Sequence, residues 1–281
     1  MSYTAENTSR MVKAGNVNVH YHDAGKGFPV VLVHGGGPGA TGWSNYSKNV
    51  DMLAQHWRVL IVDLPGFGKS DRNIPGDKLF GYYAKVMRDF LEALDIPKAH
   101  FIGNSLGGGT SLKTALDYPD RVASLILMGS GGGLPIFSAQ PTEGVRKLGA
   151  FYVGTGPSEQ KLRAFLEMLV YDSSVLTKEL VAQRYATATL PENVANPPLK
   201  FKAGHPPIED LWREAVNELP HEVLLITGRE DRVVPLDSSF ILLKLIPNAR
   251  LHVLPKCGHW AQWEKADEFN TMVHNFMHQA M

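Results

Sequence analysis

Three residues of this sequence, Ser105, Asp231 and His259, could together form an activated nucleophile. A serine hydroxyl attacks a carbonyl carbon only when a positioned base removes its proton, and the imidazole that does so needs a carboxylate to orient it. His259 would be the base and Asp231 the orienting carboxylate. The three also follow one another in an order used by enzymes whose nucleophile lies between a strand and a helix. The sequence therefore predicts a catalytic triad.

The segment around Ser105 predicts a sharp turn between a strand and a helix. Residues Gly103–Gly107 have the pattern Gly-x-Ser-x-Gly, an apolar run ends at Ile102, and Thr110–Leu116 can continue as a helix. Glycine permits the strained backbone and the close approach of neighbouring chain that such a turn requires. The pentapeptide alone is weak evidence, because glycine-rich turns between strands and helices are common.

A second glycine-rich stretch, His34–Gly39, directly follows the apolar run Val30–Val33, which reads as a strand. Backbone N–H groups in such a loop can face a bound oxygen, and the start of the helix after the serine supplies others. We expect the N–H groups of Gly36 and Leu106 to form an oxyanion hole. The alternative is that the stretch is only a flexible connector.

The other two members of the predicted triad lie in loops that follow predicted strands. Asp231 comes after Val223–Thr227, and His259 comes after Leu251–Leu254. Catalytic groups in open α/β sheets gather beyond the carboxyl ends of the strands, so these loops and Ser105 should meet at one edge of the sheet.

Other residues compete for the same roles. Glu230 is adjacent to Asp231, and either carboxylate could simply be solvated. Asp63 also ends a strand, but it precedes the serine, where a carboxylate more often fastens a turn. His259 is one of eleven histidines, so it could be a satisfied surface residue.

The arrangement of strands and helices predicts an α/β fold with a mostly parallel sheet, helices on both faces and an inserted helical cap. Strands and helices alternate up to about residue 135, with a helix expected from Trp43 to about Ala54, and the alternation resumes near residue 208. Between them the helical segments are Thr142–Phe151, Ser158–Val170 and Thr177–Ala188, followed by an exit rich in proline, at Pro191, Pro197, Pro198, Pro206 and Pro207. We expect a core domain formed by residues 1–135 and 208–281, with the cap at residues 136–207.

Composition excludes several classes of function. Lys+Arg and Asp+Glu are both 28, so no net charge attracts nucleic acid or an anionic membrane. The N-terminus lacks the features of a secretion signal and no stretch is apolar enough to span a membrane, which favours a soluble, cytoplasmic protein. Cys257 is the only cysteine, so a structural zinc–cysteine site is excluded and a packing role is expected. His20 and His22 share a strand face, but without further ligands we expect a half-exposed face rather than a metal site.

The role of one cap residue, Arg184, can be inferred without reference to the triad. Arg184 lies four residues after Leu180 and three after Val181, so it shares the apolar face of its helix. An arginine directed inward needs an anionic partner, and a substrate carboxylate would serve. The alternatives are an arginine that extends its head to solvent and one paired with a glutamate of the cap.

Taken together, the stretches His34–Gly39, Trp43–Tyr46, Gly103–Gly108, Gly228–Arg232 and Cys257–Trp260 resemble those of the meta-cleavage product hydrolases of the α/β-hydrolase superfamily. The resemblance runs from about residue 21 to the C-terminus. It implies a cofactor-independent serine-type enzyme that hydrolyses a carbon–carbon bond in 2-hydroxy-6-oxo-hexa-2,4-dienoates, and an enzyme that forms dimers or larger homo-oligomers. The residues that it places in the substrate site are Gly37, Asn45, Asn104, Arg184, Val233 and Trp260.

Two other functions stay open at the level of sequence. A carboxylesterase would use the same triad, and a small-molecule receptor could be built on the same fold. Val233 is smaller than the phenylalanine that some biphenyl-type relatives carry there, which hints at room for a bulky substituent on C6.

Overall fold

The computed structural model describes residues 2–72, 74–200 and 208–280. The strands of its central sheet are β1 Ser9–Ala14, β2 Val17–Ala24, β3 Pro29–Val33, β4 Arg58–Val62, β5 Ala99–Asn104, β6 Val122–Met128, β7 Val223–Gly228 and β8 Ala249–Leu254. The α-helices of the core are α1 Ala5–Thr8, α2 Gly42–Tyr46, α3 Val50–Leu53, α4 Leu79–Ala93, α5 Leu106–Asp117, α10 Ser238–Leu245, α11 Ala261–Glu264 and α12 Ala266–Gln279. Those between β6 and β7 are α6 Glu143–Ala150, α7 Glu159–Leu169, α8 Lys178–Ala188 and α9 Pro191–Ala195.

The sheet is mostly parallel, as the alternation of strands and helices predicts. Its strand order is β1-β2-β4-β3-β5-β6-β7-β8, and only the pairings of β1 with β2 and of β2 with β4 are antiparallel. The five strands from β4 to β7 in this order are buried nearly throughout, which explains their continuous apolar runs. Because β5, β7 and β8 are parallel, the loops after them emerge at the same edge of the sheet.

Helices cover both faces of this sheet. One buried apolar cluster includes Phe80, Phe90 and Leu112 from α4 and α5. The cluster on the other face includes Tyr46 and Phe269, from α2 and α12. The predicted α/β fold is confirmed, and the two cores hold the strand ends in fixed positions.

The segment between β6 and β7 contains helices and, among its described residues, no strand. Its helices enclose a third apolar cluster, which includes Phe151, Phe165 and Leu166 and extends to Trp260 of the core. Pro191 is the first residue of α9 rather than part of an irregular exit, a position where proline costs no hydrogen bond. Pro206 and Pro207 lie outside the described residues, and the cap boundaries at 136 and 207 stay a prediction.

Two local features differ from the sequence interpretation. The helix predicted from Trp43 to about Ala54 is wrong, because the chain forms two short helices there. Between them the buried Asn49 side chain donates to the carbonyl of Gln262 and to the side chain of Asn270, which fixes a turn. The edge strand β1 was not predicted, because its residues alternate only weakly between exposed and buried positions.

Candidate active site

Ser105 lies at the turn between β5 and α5, with φ +57° and ψ −113°. This backbone conformation is sparsely populated for a residue with a side chain. The flanking glycines explain how the turn can close: a Cβ on Gly103 would lie 2.2 Å from the carbonyl oxygen of Gly107, and one on Gly107 would lie 2.1 Å from that of Val33. Both collisions are with backbone, so only glycine fits at either position.

Main-chain hydrogen bonds hold the strained turn in place. The N–H of Ser105 donates to the carbonyl of Met128 over 2.8 Å, and the Ser105 carbonyl accepts from Gly131 over 2.9 Å and from Gly109 over 3.1 Å. A strained residue persists only where its surroundings fix it from several sides. Here two of the three bonds come from the end of β6 and the loop after it.

Asp231 and His259 form a buried pair in the loops after β7 and β8. The Nδ1 atom of His259 lies 2.7 Å from Oδ2 of Asp231, and both side chains are almost fully buried. The other oxygen, Oδ1, accepts the N–H groups of Val233 and Val234 over 2.7 and 2.9 Å. With Nδ1–H donated to the carboxylate, Nε2 of His259 is the nitrogen free to take a proton.

Gly129, the residue after β6, is a neighbour of this pair that sequence reasoning missed. It has φ +44°, and a Cβ there would lie 2.8 Å from Nδ1 of His259 and 2.9 Å from Oδ2 of Asp231. Any side chain would therefore displace the imidazole or the carboxylate. A glycine at the end of a neighbouring parallel strand is the signal that could have pointed to it.

Ser105 and His259 line one cavity between the sheet edge and the cap. All the predicted site residues line it except Asp231, which lies behind His259; the others are Gly36, Gly37, Asn45, Asn104, Leu106, Arg184, Val233 and Trp260. The two backbones predicted to form the oxyanion hole are adjacent, since a Cβ on Gly36 would lie 3.4 Å from Cβ of Leu106. Leu106 is the first residue of α5, where N–H groups lack intrahelical partners.

Two asparagines contribute amide groups to this region. The Asn104 amide donates to the carbonyls of Met128 and His259, so it links the serine turn to the histidine loop. Its Oδ1 atom is buried and has no protein partner. Asn45 donates from Nδ2 to the carbonyl of Thr41.

Arg184 on α8 is buried, with 1% of its surface exposed. Its Nε donates to the carbonyl of Pro38 over 3.0 Å, and the guanidinium lies 5.2 Å from the ring centroid of Trp260. Nη1 has no hydrogen-bond partner, and none of the described carboxylates forms an ion pair with this side chain. Burial lowers the pKa of Arg184 to about 9, so the group stays protonated at neutral pH.

Two glycines of the loop after β3 make room for Arg184. A Cβ on Gly39 would lie 1.9 Å from the carbonyl oxygen of Arg184, and one on Gly37 would lie 2.9 Å from its Nη2 and 2.8 Å from the Phe165 ring. The glycine-rich loop is thus a docking surface for the cap as well as part of the cavity wall.

Asp63 and Glu230, the two alternatives to Asp231, make structural contacts instead. Asp63 accepts the N–H groups of Gly42 and Lys69 and contacts Nδ1 of His20, so it fastens a turn. Glu230 accepts the N–H of Cys257, which is itself buried; burial raises the pKa of its thiol to about 12.

His20 and His22 are buried rather than half-exposed. His22 contacts the hydroxyl of Thr8, and burial lowers its pKa to about 4. No cluster of metal-ligating side chains is found in the part of the chain that the structure describes.

Comparison with known proteins identifies the family. The chain matches the α/β hydrolase fold family over residues 29–266. It is 41% identical to the 2-hydroxy-6-oxo-6-phenylhexa-2,4-dienoate hydrolase of Burkholderia cepacia, over 93% of this chain and 92% of that protein. It superposes on the meta-cleavage product hydrolase CumD of Pseudomonas fluorescens IP01 with a TM-score of 0.86 and 35% identity, over 97% of this chain and 98% of the other. The chain belongs to the meta-cleavage product hydrolases.

This membership confirms the predicted family resemblance. A further relative, from Comamonas testosteroni, is a 2-hydroxy-6-oxononadienedioate/2-hydroxy-6-oxononatrienedioate hydrolase, 40% identical over 93% of this chain and 92% of that protein. The two curated relatives thus differ in the substrates that their names give, while their identities to this meta-cleavage product hydrolase are almost equal.

The cavity of this meta-cleavage product hydrolase also has walls that sequence reasoning did not assign. They are contributed by Phe80, Gly131, Val145, Leu148, Leu199, Ile208 and Val234. Among the large apolar side chains between β6 and β7, Phe165 and Leu169 line the cavity, whereas Phe137 is 81% exposed and is not part of its wall. Among the described residues, no helix is both long enough and apolar enough to cross a bilayer.

Proposed function

We propose that this chain hydrolyses the C5–C6 bond of 2-hydroxy-6-oxo-hexa-2,4-dienoates, giving 2-hydroxypenta-2,4-dienoate and a carboxylic acid, and that Ser105, His259 and Asp231 carry the reaction. Hydrolases named for such dienoates are about two-fifths identical to it over nearly the whole chain. The activity therefore follows from family membership, and the roles of the residues rest on geometry.

The observation that carries the proposal is the unpaired guanidinium of Arg184 in the same cavity as Ser105 and His259. A buried cation without a counter-ion is costly, and an anionic ligand offsets that cost. The dienoate substrates have a carboxylate at C1 and the reacting ketone at C6. A carboxylate at Arg184 would orient the chain so that C6 faces the serine.

The proposed reaction begins with a proton shift. The 2-hydroxydienoate converts to its 2,6-dioxo form, in which C5 gains a proton. His259 then removes a proton from Ser105 or from water, and the resulting oxygen nucleophile attacks C6. The N–H groups of Leu106 and Gly36 would stabilise the oxyanion at C6, and each such donor is worth about 3 kcal/mol in the transition state.

Bond cleavage completes the sequence. The C6 oxyanion collapses, the C5–C6 bond breaks, and its electron pair passes through the enone to the 2-oxo oxygen, which takes up a proton. The products are the dienol acid and the carboxylic acid, with water supplying the added oxygen and proton. If Ser105 is the attacking group, water releases the acid from an acyl-enzyme in a second step.

The test is turnover of a 6-phenyl dienoate, followed by loss of its visible absorbance and by chromatographic detection of benzoate. We expect stoichiometric benzoate and a kcat/KM far above that for a neutral nitrophenyl ester. Efficient ester hydrolysis with no loss of the dienoate would identify a carboxylesterase instead. Stable retention of product after a single turnover would favour a receptor.

Three further expectations belong to this proposal. We propose that the substrate is the protein's small-molecule partner, that the chain self-associates as a homo-oligomer, and that it acts in the cytoplasm without a cofactor. Family membership supports the dienoate as the small-molecule partner. Light scattering tests self-association, and cell fractionation tests the cytoplasmic location. We also propose that residues 136–207 form the cap, and limited proteolysis at its two boundaries is the test.

A further inference from the structure

The charge distribution of the cavity distinguishes between two kinds of dienoate substrate. Among the cavity-lining residues that the structure describes, Arg184 has the only permanent charge. The amides of Asn45 and Asn104 are neutral. Much of the rest of the wall is formed by apolar side chains, including those of Phe80, Val145, Leu148, Leu199, Ile208 and Val234. One end of the cavity therefore suits an anion, and the remainder suits an uncharged group.

Contacts separate the two ends. Arg184 lies with Phe165 at Gly37, since a Cβ on Gly37 would meet both side chains. Phe80 lies instead at Gly131, where a Cβ would be 2.8 Å from the end of its ring. Because Gly131 donates to the Ser105 carbonyl, this aromatic wall borders the serine turn.

Val145 belongs to the same apolar wall. It lies on α6, and the preceding Gly144 donates its N–H to the carbonyl of Arg232 in the aspartate loop over 3.1 Å. A Cβ on Gly144 would lie 2.6 Å from Cγ2 of Val233. The start of α6 is therefore held beside the loop that carries Asp231.

The two curated relatives named above differ at this end of the substrate. One is named for a 6-phenyl dienoate, whose C6 substituent is apolar, and the other for a nonadienedioate, which has a second carboxylate at C9. A carboxylate placed against apolar side chains loses its hydration without gaining a cation or a hydrogen-bond donor. The sequence identities to the two relatives are almost equal, so they do not indicate which substrate this chain prefers. The apolar side chains of the cavity wall do.

We infer that this hydrolase is selective for dienoates with one carboxylate and an uncharged, apolar substituent on C6, and that it discriminates against dioates. The inference rests on the proposed function, because it assumes that the C1 carboxylate binds the Arg184 guanidinium and that C6 lies next to Ser105. It assigns Phe80, Val145 and Val234 as specificity-determining residues for the C6 substituent.

The experiment compares matched substrates under identical conditions. They are 2-hydroxy-6-oxonona-2,4-diene-1,9-dioate, its C9 carboxamide, the analogue that ends in a methyl group at C9, and the 6-phenyl dienoate. We expect kcat/KM to be at least about 100-fold lower for the dioate than for the methyl-terminated analogue, because the second carboxylate would be buried without a partner. The carboxamide should lie between them, which separates charge from polarity.

A gain of function provides the complementary test. Val145 is only partly buried, so a lysine there can place its ammonium group in the cavity. Val145→Lys should raise the dioate-to-methyl ratio of kcat/KM at least about tenfold, as expected for a new ion pair in a poorly solvated site. Val145→Met, of similar length and no charge, should leave that ratio low.

The outcomes are distinguishable from failure of the proposed function. If the dioate and its methyl-terminated analogue react equally well, the inference is overturned while carbon–carbon hydrolysis stands. If Val145→Lys folds and cleaves the 6-phenyl dienoate but leaves the ratio unchanged, Val145 does not face the C6 substituent and its assignment is overturned. If no dienoate is hydrolysed, the proposed function fails and this inference with it.

Discussion

The Glu264 carboxylate accepts a hydrogen bond of 2.6 Å from the backbone N–H of Gly258, the residue before His259. Its other oxygen accepts the N–H groups of Tyr171 and Asp172, just after cap helix α7, over 2.7 and 3.1 Å. One half-buried side chain therefore links the histidine loop to the cap. Partial burial raises the pKa of Glu264, which is consistent with a carboxylate that is partly shielded from solvent.

Glu264→Gln should lower kcat for the 6-phenyl dienoate about tenfold with little change in KM, because an amide has only one acceptor oxygen and cannot hold both partners. Glu268→Gln, at an exposed position of α12, is the matched control and should leave kcat unchanged. Steady-state kinetics with both variants decides the point. A kcat within twofold of the parent would show that His259 does not need this link.

Ser105→Ala should retain binding of the dienoate and abolish its hydrolysis, because the cavity is intact but the hydroxyl at the turn is missing. Binding is measured from the visible spectrum of the bound dienoate, and hydrolysis from its disappearance. Undiminished turnover in this variant would refute the assignment of Ser105.

Arg184→Gln should raise KM or lower kcat for the dienoate by about 100-fold or more, since it removes the charge expected to hold the C1 carboxylate. A neutral phenyl ester should be affected far less. Arg184→Lys keeps a charge but not the planar fork, so it should fall between the parent and the glutamine variant. Equal losses on both substrates would mean that Arg184 only supports packing against Trp260.

The triad could be predicted because Ser105 directly follows a strand, Asp231 and His259 lie in the loops after two others, and the carboxyl ends of parallel strands meet at one edge of the sheet. Arg184 was predictable for a different reason, since helical spacing placed it on the apolar face of α8. Close approaches between distant segments were not predictable. Phe80 reaches the serine turn because Gly109 leaves it room, with a hypothetical Cβ 2.2 Å from its ring, and no local pattern records that contact.

Gly129 also makes a close approach to a distant segment, the His259–Asp231 pair, and substituting it tests whether the geometry of that pair matters. Gly129→Ala should lower kcat at least about 100-fold, because the new Cβ would displace His259 or Asp231 by a substantial fraction of an ångström. Gly154→Ala is the control: Gly154 also has a positive φ, of +67°, but a Cβ there meets nothing within 4 Å. Both variants should lose about 1 kcal/mol of stability from backbone strain, and only the first should lose activity.

Unfolding at equilibrium separates the two effects. If both variants lose activity in proportion to stability, backbone strain explains the result and the contact with the triad does not matter. If Gly129→Ala is fully active, the imidazole and carboxylate can shift without consequence, which contradicts the proposed role of their geometry.

His100 at the start of β5 should make stability fall in mild acid. The side chain is fully buried, its Nδ1 lies 2.7 Å from the Ser124 hydroxyl, and burial lowers its pKa from 6.5 to about 4. Between these values the unfolded chain binds the proton and the folded chain does not, so the free energy of unfolding decreases as pH falls. Between pH 7.5 and 5 the expected loss is about 2 kcal/mol, from about 1.4 kcal/mol per pKa unit.

His100→Leu provides the comparison, with urea unfolding measured at both pH values. The variant should be less stable at pH 7.5, since Ser124 loses its partner, but its stability should change less between the two values. His22, whose pKa burial also lowers to about 4, remains in the variant and contributes to the residual slope. Burial lowers the pKa values of three further histidines that contribute to this slope as well, those of His34, His221 and His274. A slope as steep in His100→Leu as in the parent would mean that the protonation of other groups accounts for the acid sensitivity.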